Sequence, residues 1–229
     1  MGKQENIKIF EDTETLCKTN SSLKQSIKNS ICNQKLILQN QRINSNNKKR
    51  NEKPANIIVS KKRTLQEASA YKNTKTAVHN FASATNPGGG VKRGSNAQEE
   101  CLCRCSGLYV CLSTQTMWDG FYSPHRQARN PIYNDDIIYT PAVTVFKTDT
   151  EQPEIMDASD WYDVDVITCA APNLRVQNNY NGKSSYNNAK KMTNDELLKL
   201  HEKRLKRILD TALSEDDEKA IKMAFNLFS

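Results

Sequence analysis

The spacing of hydrophobic positions changes character along the chain. Up to about residue 55 they are sparse and fall three or four apart: Ile7, Phe10, Leu16 and Cys17, then Leu23, Ile27 and Ile31, with Leu36 further on. This spacing predicts one or two amphipathic helices, the second capped by Ser21 or Ser22. The tract INSNNKKRNEKPAN, Ile43 to Asn56, has no period and reads as a flexible loop. From Ile57 onward, short β-branched runs alternate with helical patterns. IIVS (Ile57 to Ser60), Ala77 to Ala82, Ile137 to Phe146 and Asp163 to Asn173 are expected strands. Between them, Thr64 and Glu67 form a capping box for the helix TLQEASAY, and another helix is expected from Ala97 to about Leu112. Thr193 and Glu196 open a long basic helix to about Leu213, with Leu197, Leu200, Leu205, Ile208 and Ala212 as its buried side. Gln177 to Asn188 reads as a loop, and the tail SEDDEKAIKMAFNLFS as one or two further helical turns. The alternation implies an α/β fold with a mixed or largely parallel sheet and a ligand site beyond the strand ends. Two regions are expected: a polar helical and flexible segment over 1–55 and the α/β domain over 56–229.

Composition narrows the choice of partner. The chain has 229 residues, 37% of them hydrophobic, and a mean hydropathy of −0.74, so it can bury a core but carries much polar surface. A net charge of +7 and a pI near 9.0 favour polyanionic partners. No apolar run is long enough to cross a bilayer, and MGKQENIKIF lacks the apolar centre of a signal peptide, so no membrane partner and a cytoplasmic location are expected. Seven cysteines, four of them between Cys101 and Cys111, fit a reduced compartment. Cys101, Cys105, Leu108 and Leu112 share one face of the expected helix. The C-x-C-x-C spacing is not that of a zinc site, so no metal is expected.

The chemistry concentrates between Ala77 and Leu112, AVHNFASATNPGGGVKRGSNAQEECLCRCSGLYVCL. Three of the eight glycines, Gly88, Gly89 and Gly90, stand together between a strand and a helix that opens on Gln98, Glu99 and Glu100. Glycine lets backbone N–H groups come close to a ligand and take φ > 0. A strand, such a loop and a helix start form a cradle for phosphate. Two adjacent acids beside that cradle point to chemistry or to ribose recognition. The aromatic and basic stretch from Trp118 to Tyr133 reads as a loop suited either to stacking on adenine or single-stranded bases or to anchoring the surface. His79 reads as a core histidine, and His125 and His201 lack a partner pattern.

NPGGG, seven residues and then QEE, with NFASATNPGGG and QEECLCRCSGLY around them, resembles the signature of microbial-type poly(ADP-ribose) glycohydrolases. YNDDIIYTPAVTVFK and VITCAAPN resemble later segments of the same family, so the likeness runs from about Asn56 to Leu213. It implies a macrodomain-like fold, a three-layer mixed sheet flanked by helices. It also implies hydrolysis of the ribose–ribose O-glycosidic bond of poly(ADP-ribose) without a cofactor. On this likeness Glu100 is the general acid/base and Glu99 bonds the neighbouring ribose. Asn86 faces the distal ribose, Gly88, Gly89 and Gly90 approach the diphosphate, and Gln98 frames the loop. The implied partners are poly(ADP-ribose) or ADP-ribosylated proteins, with ADP-ribose as product or ligand. Family members continue into a second glycine-rich phosphate loop, whereas this chain ends on KMAFNLFS and is expected to be shortened there. Two other readings follow: an ADP-ribose-binding module without catalysis, and a hydrolase removing ADP-ribose from nucleic acid, the latter resting on Trp118 to Tyr133.

Overall fold

The computed structural model describes residues 2–41, 43, 56–170, 172, 193–214 and 222–224. The expected loop at Gln177 to Asn188, the end of the fourth expected strand at Asn173 and most of the Ile43 to Asn56 tract lie outside them. Five strands make one mixed sheet in the order β1-β3-β4-β2-β5. They are β1 (Lys35–Ile37), β2 (Thr76–Ala82), β3 (Ile137–Val145), β4 (Tyr162–Ala170) and β5 (Lys222–Ala224). β1 with β3 and β3 with β4 are antiparallel; β2 runs parallel to both β4 and β5.

Alternation along the strands sorts side chains into two layers. Val78, Ile138, Val164 and Val166 join the larger core with Leu65, Leu102, Leu108 and Phe121. Ala77, Ile137, Tyr139, Ile167 and Cys169 form a second core with Ile208. Helices therefore cover both faces, giving the expected three layers. Among the described residues, no helix is long and apolar enough to cross a membrane.

The N-terminal helices are α1 (Lys3–Thr19) and α2 (Ser21–Cys32). The cap of α2 is Asn20, one residue before the expected serines; its side chain accepts the Leu23 amide at 3.1 Å. Across the expected boundary at residue 55, Phe10 belongs to the larger core. Thr13 Oγ1 donates to the Arg104 carbonyl at 2.7 Å, and Asn6 Nδ2 to the Gly94 carbonyl at 3.0 Å. α1 thus braces the segment that carries the glycines and acids.

Several expected elements differ. Ile57 to Ser60 forms no strand: among the described residues this β-branched run pairs with no other strand, and it stands exposed. α3 (Thr64–Ala68) is capped by Arg63, whose amide donates to Gln66, and Glu67 instead accepts from Ser60. The helix expected over Ala97 to Leu112 is broken into α4 (Gln98–Cys105) and α5 (Leu108–Leu112). Between them, Ser106 is extended and bridges to Val145, while the Gly107 amide donates to the Thr144 carbonyl at 3.1 Å. All eight residues of α4 are buried, so both faces of the C-x-C-x-C run, not one apolar stripe, lie in the interior.

Trp118 to Tyr133 is not an aromatic loop: most of it is helical. α6 (Gln115–Met117) passes through a π-helical turn, Trp118–Tyr122, into α7 (Ser123–Ala128), with Phe121 and Tyr122 fully buried. The long helix α8 (Asn194–Ser214) has its predicted cap, with the Glu196 amide donating to Thr193 Oγ1 and the Thr193 amide donating to Glu196. Its buried line runs through Arg204, Ile208 and Thr211, and Leu205 is exposed. The tail contributes β5 against Thr76 to Val78, where further helical turns were expected.

Candidate active site

Two loop glycines adopt a conformation that other residues reach only with strain: Gly88 at φ +63° and Gly89 at φ +59°. The turn closes on itself through Gly89 N–H to the Asn86 carbonyl at 3.0 Å and Val91 N–H to the Gly88 carbonyl at 3.1 Å. It lies directly over the acids. A Cβ at Gly89 would sit 2.5 Å from Glu100 Oε1 and 3.0 Å from Glu99 Oε2, and one at Gly88 would sit 2.7 Å from the Tyr109 ring.

Glu100 links the loop to the start of α4. Its Oε1 accepts the Gly90 amide at 2.8 Å and its Oε2 the Ala97 amide at 2.9 Å. The second bond is half of a capping box, a glutamate at the third helical position reaching back to its N-cap. Glu99 points to the strand side. Its Oε2 accepts the Ser83 amide at 2.7 Å, and Asn80 Nδ2 lies 3.4 Å from its Oε1. Both carboxylates are buried. Burial raises Glu99 to about 8, with the neighbouring Glu100 charge acting the same way and the Ser83 and Asn80 donors against it.

Gln98 holds α4 onto β2. Its Oε1 accepts the Phe81 amide at 2.9 Å and its Nε2 donates to the His79 carbonyl at 2.6 Å. It thereby continues the β2 edge where β5 pairing ends at Val78. His79 is buried, and burial lowers it to about 4. His125 is also buried between the Phe121 carbonyl and Asn134 Oδ1, both at 2.7 Å, a pairing its sequence neighbourhood did not announce.

The linker from Gly90 to Gln98 is fixed from below. Buried Arg104 donates to the Ser95 carbonyl at 2.6 Å and also to Asn96 Oδ1. Arg104 and Arg63 both reach Cys101 Sγ, at 3.2 and 2.8 Å, and Arg63 is paired with Asp149 at 2.8 Å. Burial outweighs the two guanidiniums and raises the Cys101 thiol. All seven cysteines are free, and among the described residues no group of three metal-ligating side chains is assembled.

The structure therefore brings Gly88, Gly89, Gly90, Gln98, Glu99 and Glu100 together. Asn86 lies at the outer end of the turn, its Nδ2 on Thr85 Oγ1 and its Oδ1 accepting from Arg126. The Gly89 and Gly90 amides are spent on the Asn86 carbonyl and on Glu100. The turn itself carries no side chain at Gly88, Gly89 or Gly90. Sequence reasoning missed Asn80, Ser83 and Arg126. Of these, Asn80 alone had a readable sign: a polar residue on the inward face of a strand, between Val78 and Ala82.

The structure resembles the poly(ADP-ribose) glycohydrolase of Thermomonospora curvata bound to the inhibitor ADP-HPD, with a TM-score of 0.72 at 24% identity, covering 95% of this chain and 77% of that one. It also resembles the poly(ADP-ribose) glycohydrolase (PARG) of Deinococcus radiodurans in complex with ADP-ribose, with a TM-score of 0.67 at 27% identity, covering 83% and 71%. No curated protein sequence matches. The family model for the microbial-type PARG catalytic domain matches residues 3–148, which takes in α1, the glycine turn and both glutamates. The chain belongs to the microbial-type poly(ADP-ribose) glycohydrolase family.

Proposed function

We propose that the chain hydrolyses the ribose–ribose O-glycosidic bond of poly(ADP-ribose), releasing ADP-ribose, with Glu100 as general acid and base. The observation that carries this is Glu100 held between the Gly90 and Ala97 amides at 2.8 and 2.9 Å, beneath a turn bare of side chains. Each carboxyl oxygen accepts one amide and keeps a second lone pair. A protonated Glu100 gives its proton to the departing ribose oxygen as the C–O bond breaks and the sugar takes on oxocarbenium character. The carboxylate left behind then takes a proton from the attacking water, which restores the acid. Glu99, which keeps its proton near neutral pH, offers both an O–H donor and an acceptor to the neighbouring ribose hydroxyls.

Asn86 is assigned to the distal ribose and Gly88 to Gly90 to the diphosphate, with Gln98 fixing α4 beneath them. ADP-ribose in the Deinococcus protein and ADP-HPD in the Thermomonospora protein support a ligand of this class. α1, which packs on the segment carrying the glycines and acids, belongs with 56–229 in one catalytic unit. Free thiols at all seven cysteines support a reducing, cytoplasmic setting. The comparisons lend no support to a nucleic-acid substrate, and burial of Phe121 and Tyr122 removes much of the exposed aromatic surface that this reading needed.

The test is release of ADP-ribose from the polymer by the wild type and by Glu100→Gln, with calorimetric ADP-ribose binding to both. Release that is abolished in the variant while binding persists supports the proposal. A wild type that binds ADP-ribose and releases none from the polymer is a binding module, and the hydrolase reading is lost.

A further inference from the structure

Arg126, an exposed residue, reaches the start of the glycine turn at Thr85 and Asn86 from outside it. Its Nε donates to the Thr85 carbonyl and its Nη2 to Asn86 Oδ1, both at 2.8 Å, and its guanidinium lies over the Trp118 ring, 5.0 Å from the centroid. These two bonds use part of a guanidinium's five N–H donors. The remaining donors belong to a planar cation already ordered by an indole face and two loop acceptors. Trp118 is itself seated, half-buried against the larger core and stacked near Tyr122 with centroids 6.4 Å apart. A preordered cation on an aromatic support is suited to a phosphate oxygen at its edge and a base or sugar at its face.

The position of the Arg126–Trp118 pair gives it a role. The inference rests on the reading above, in which Asn86 faces the ribose whose anomeric bond is cut. On that reading the group bonded to the anomeric carbon departs past Asn86, whose side chain is the one that Arg126 holds. In the polymer that group is another ADP-ribose unit, a nucleoside diphosphate with two phosphates and an adenine. We propose that Arg126 and Trp118 form a subsite for the nucleoside diphosphate on the leaving-group side of the scissile bond, so that the protein binds two linked units more tightly than one.

The probe is binding, which separates this proposal from the catalytic one. Glu100→Gln is titrated by calorimetry with ADP-ribose and with the defined two-unit ADP-ribose dimer, at low and high salt. The expected dimer affinity is at least about tenfold the monomer affinity, and the excess shrinks as salt rises. Adding Trp118→Ala removes most of the excess with little change for the monomer. Adding Arg126→Ala, at an exposed position, removes the excess and its salt dependence. Thermal melts of both variants confirm a folded protein. Equal binding of monomer and dimer overturns the proposal, as does an equal loss for both ligands in the two variants, which would make Arg126 a holder of Asn86 only. If the dimer excess depends on Trp118 and Arg126 while the wild type cleaves no polymer, the subsite stands and the hydrolase reading falls.

Discussion

The Gly90 amide donates to Glu100 Oε1 at 2.8 Å, and the neighbouring Gly89 leaves the space that this carboxylate occupies. The triple glycine is thus explained from the protein side before any ligand is considered. Two residues at φ near +60° and a carboxylate packed against the turn exclude side chains at these positions.

Gly89→Ala follows directly. Alanine at φ +59° costs about 1–2 kcal/mol of backbone strain. Its Cβ would also force Glu100 Oε1 away from 2.5 Å. The expected melting temperature is several degrees lower, at roughly 2–4 °C per kcal/mol for a chain of this size. Displacing the carboxylate by even ~1 Å is expected to lower kcat/KM for the polymer by about 100-fold. Calorimetry and initial rates check the two effects. Unchanged rates would separate the turn from the chemistry.

Glu100→Gln replaces an all-acceptor group by one with a donor amide. One end of the glutamine must then set N–H against the N–H of Gly90 or Ala97. The acid/base step is lost as well, which is worth about 10²–10⁴-fold. The expected result is a fall of that size in kcat with ADP-ribose still bound. If Glu99→Gln shows this collapse and Glu100→Gln does not, the two roles are exchanged.

The buried Glu99 and His79 predict how stability varies with pH. Glu99 rises from 4.5 to about 8 on folding, so between these values the native state holds the extra proton and stability falls as pH rises. His79 falls from 6.5 to about 4, so there the unfolded state holds the extra proton and stability falls as pH drops. The two slopes oppose each other below pH 6.5. From pH 6.5 to 8 only the Glu99 slope of the two remains, and it is expected to lower the unfolding free energy by up to about 1.4 kcal/mol per pH unit. Urea unfolding of wild type and Glu99→Gln checks this. The variant should lose the decline above pH 6.5 and reveal the His79 slope below it. A wild type equally stable at pH 6.5 and 8 would mean that Glu99 is ionised in the folded chain.

The glycine turn and the acids were legible because they are local: the turn chemistry and the helix start sit within thirteen consecutive residues, Gly88 to Glu100. The central strands were legible for the same reason, through β-branched runs. What failed was decided by distant partners. The helix stops at Cys105 because the Cys105 carbonyl accepts the Phe146 and Lys147 amides, a contact with no local sign. Ile57 to Val59 has strand composition but, among the described residues, no strand beside it. Arg126 is an ordinary surface arginine until the fold sets it against Asn86. Arg204 was passed over because a periodicity argument looks for leucine, and the α8 line that enters the core carries a charge in its middle.

That buried arginine gives the last prediction. Arg204 Nε donates to Asp135 Oδ1 at 2.7 Å, and its Nη groups donate to the carbonyls of Ala170, Ile132 and Tyr133 at 3.1, 2.7 and 3.0 Å. It ties α8 to the C-terminal end of β4 and to the segment before β3. Burial raises Asp135, but Lys203 and Arg204 together outweigh it and hold the carboxyl below its ordinary value. Arg204→Ala would strand a buried carboxylate and three carbonyls, at a cost of about 3–5 kcal/mol. The lower end is expected, because Lys203 still reaches Asp135 at 2.7 Å. Lys203→Ala should cost less than about 1 kcal/mol, since that side chain is largely exposed. Arg204→Met combined with Asp135→Asn should be more stable than Arg204→Ala, because no unpaired charge remains inside. Urea denaturation of the three variants decides it: a double variant no more stable than Arg204→Ala would place the value of Arg204 in its carbonyl contacts and packing instead of its charge.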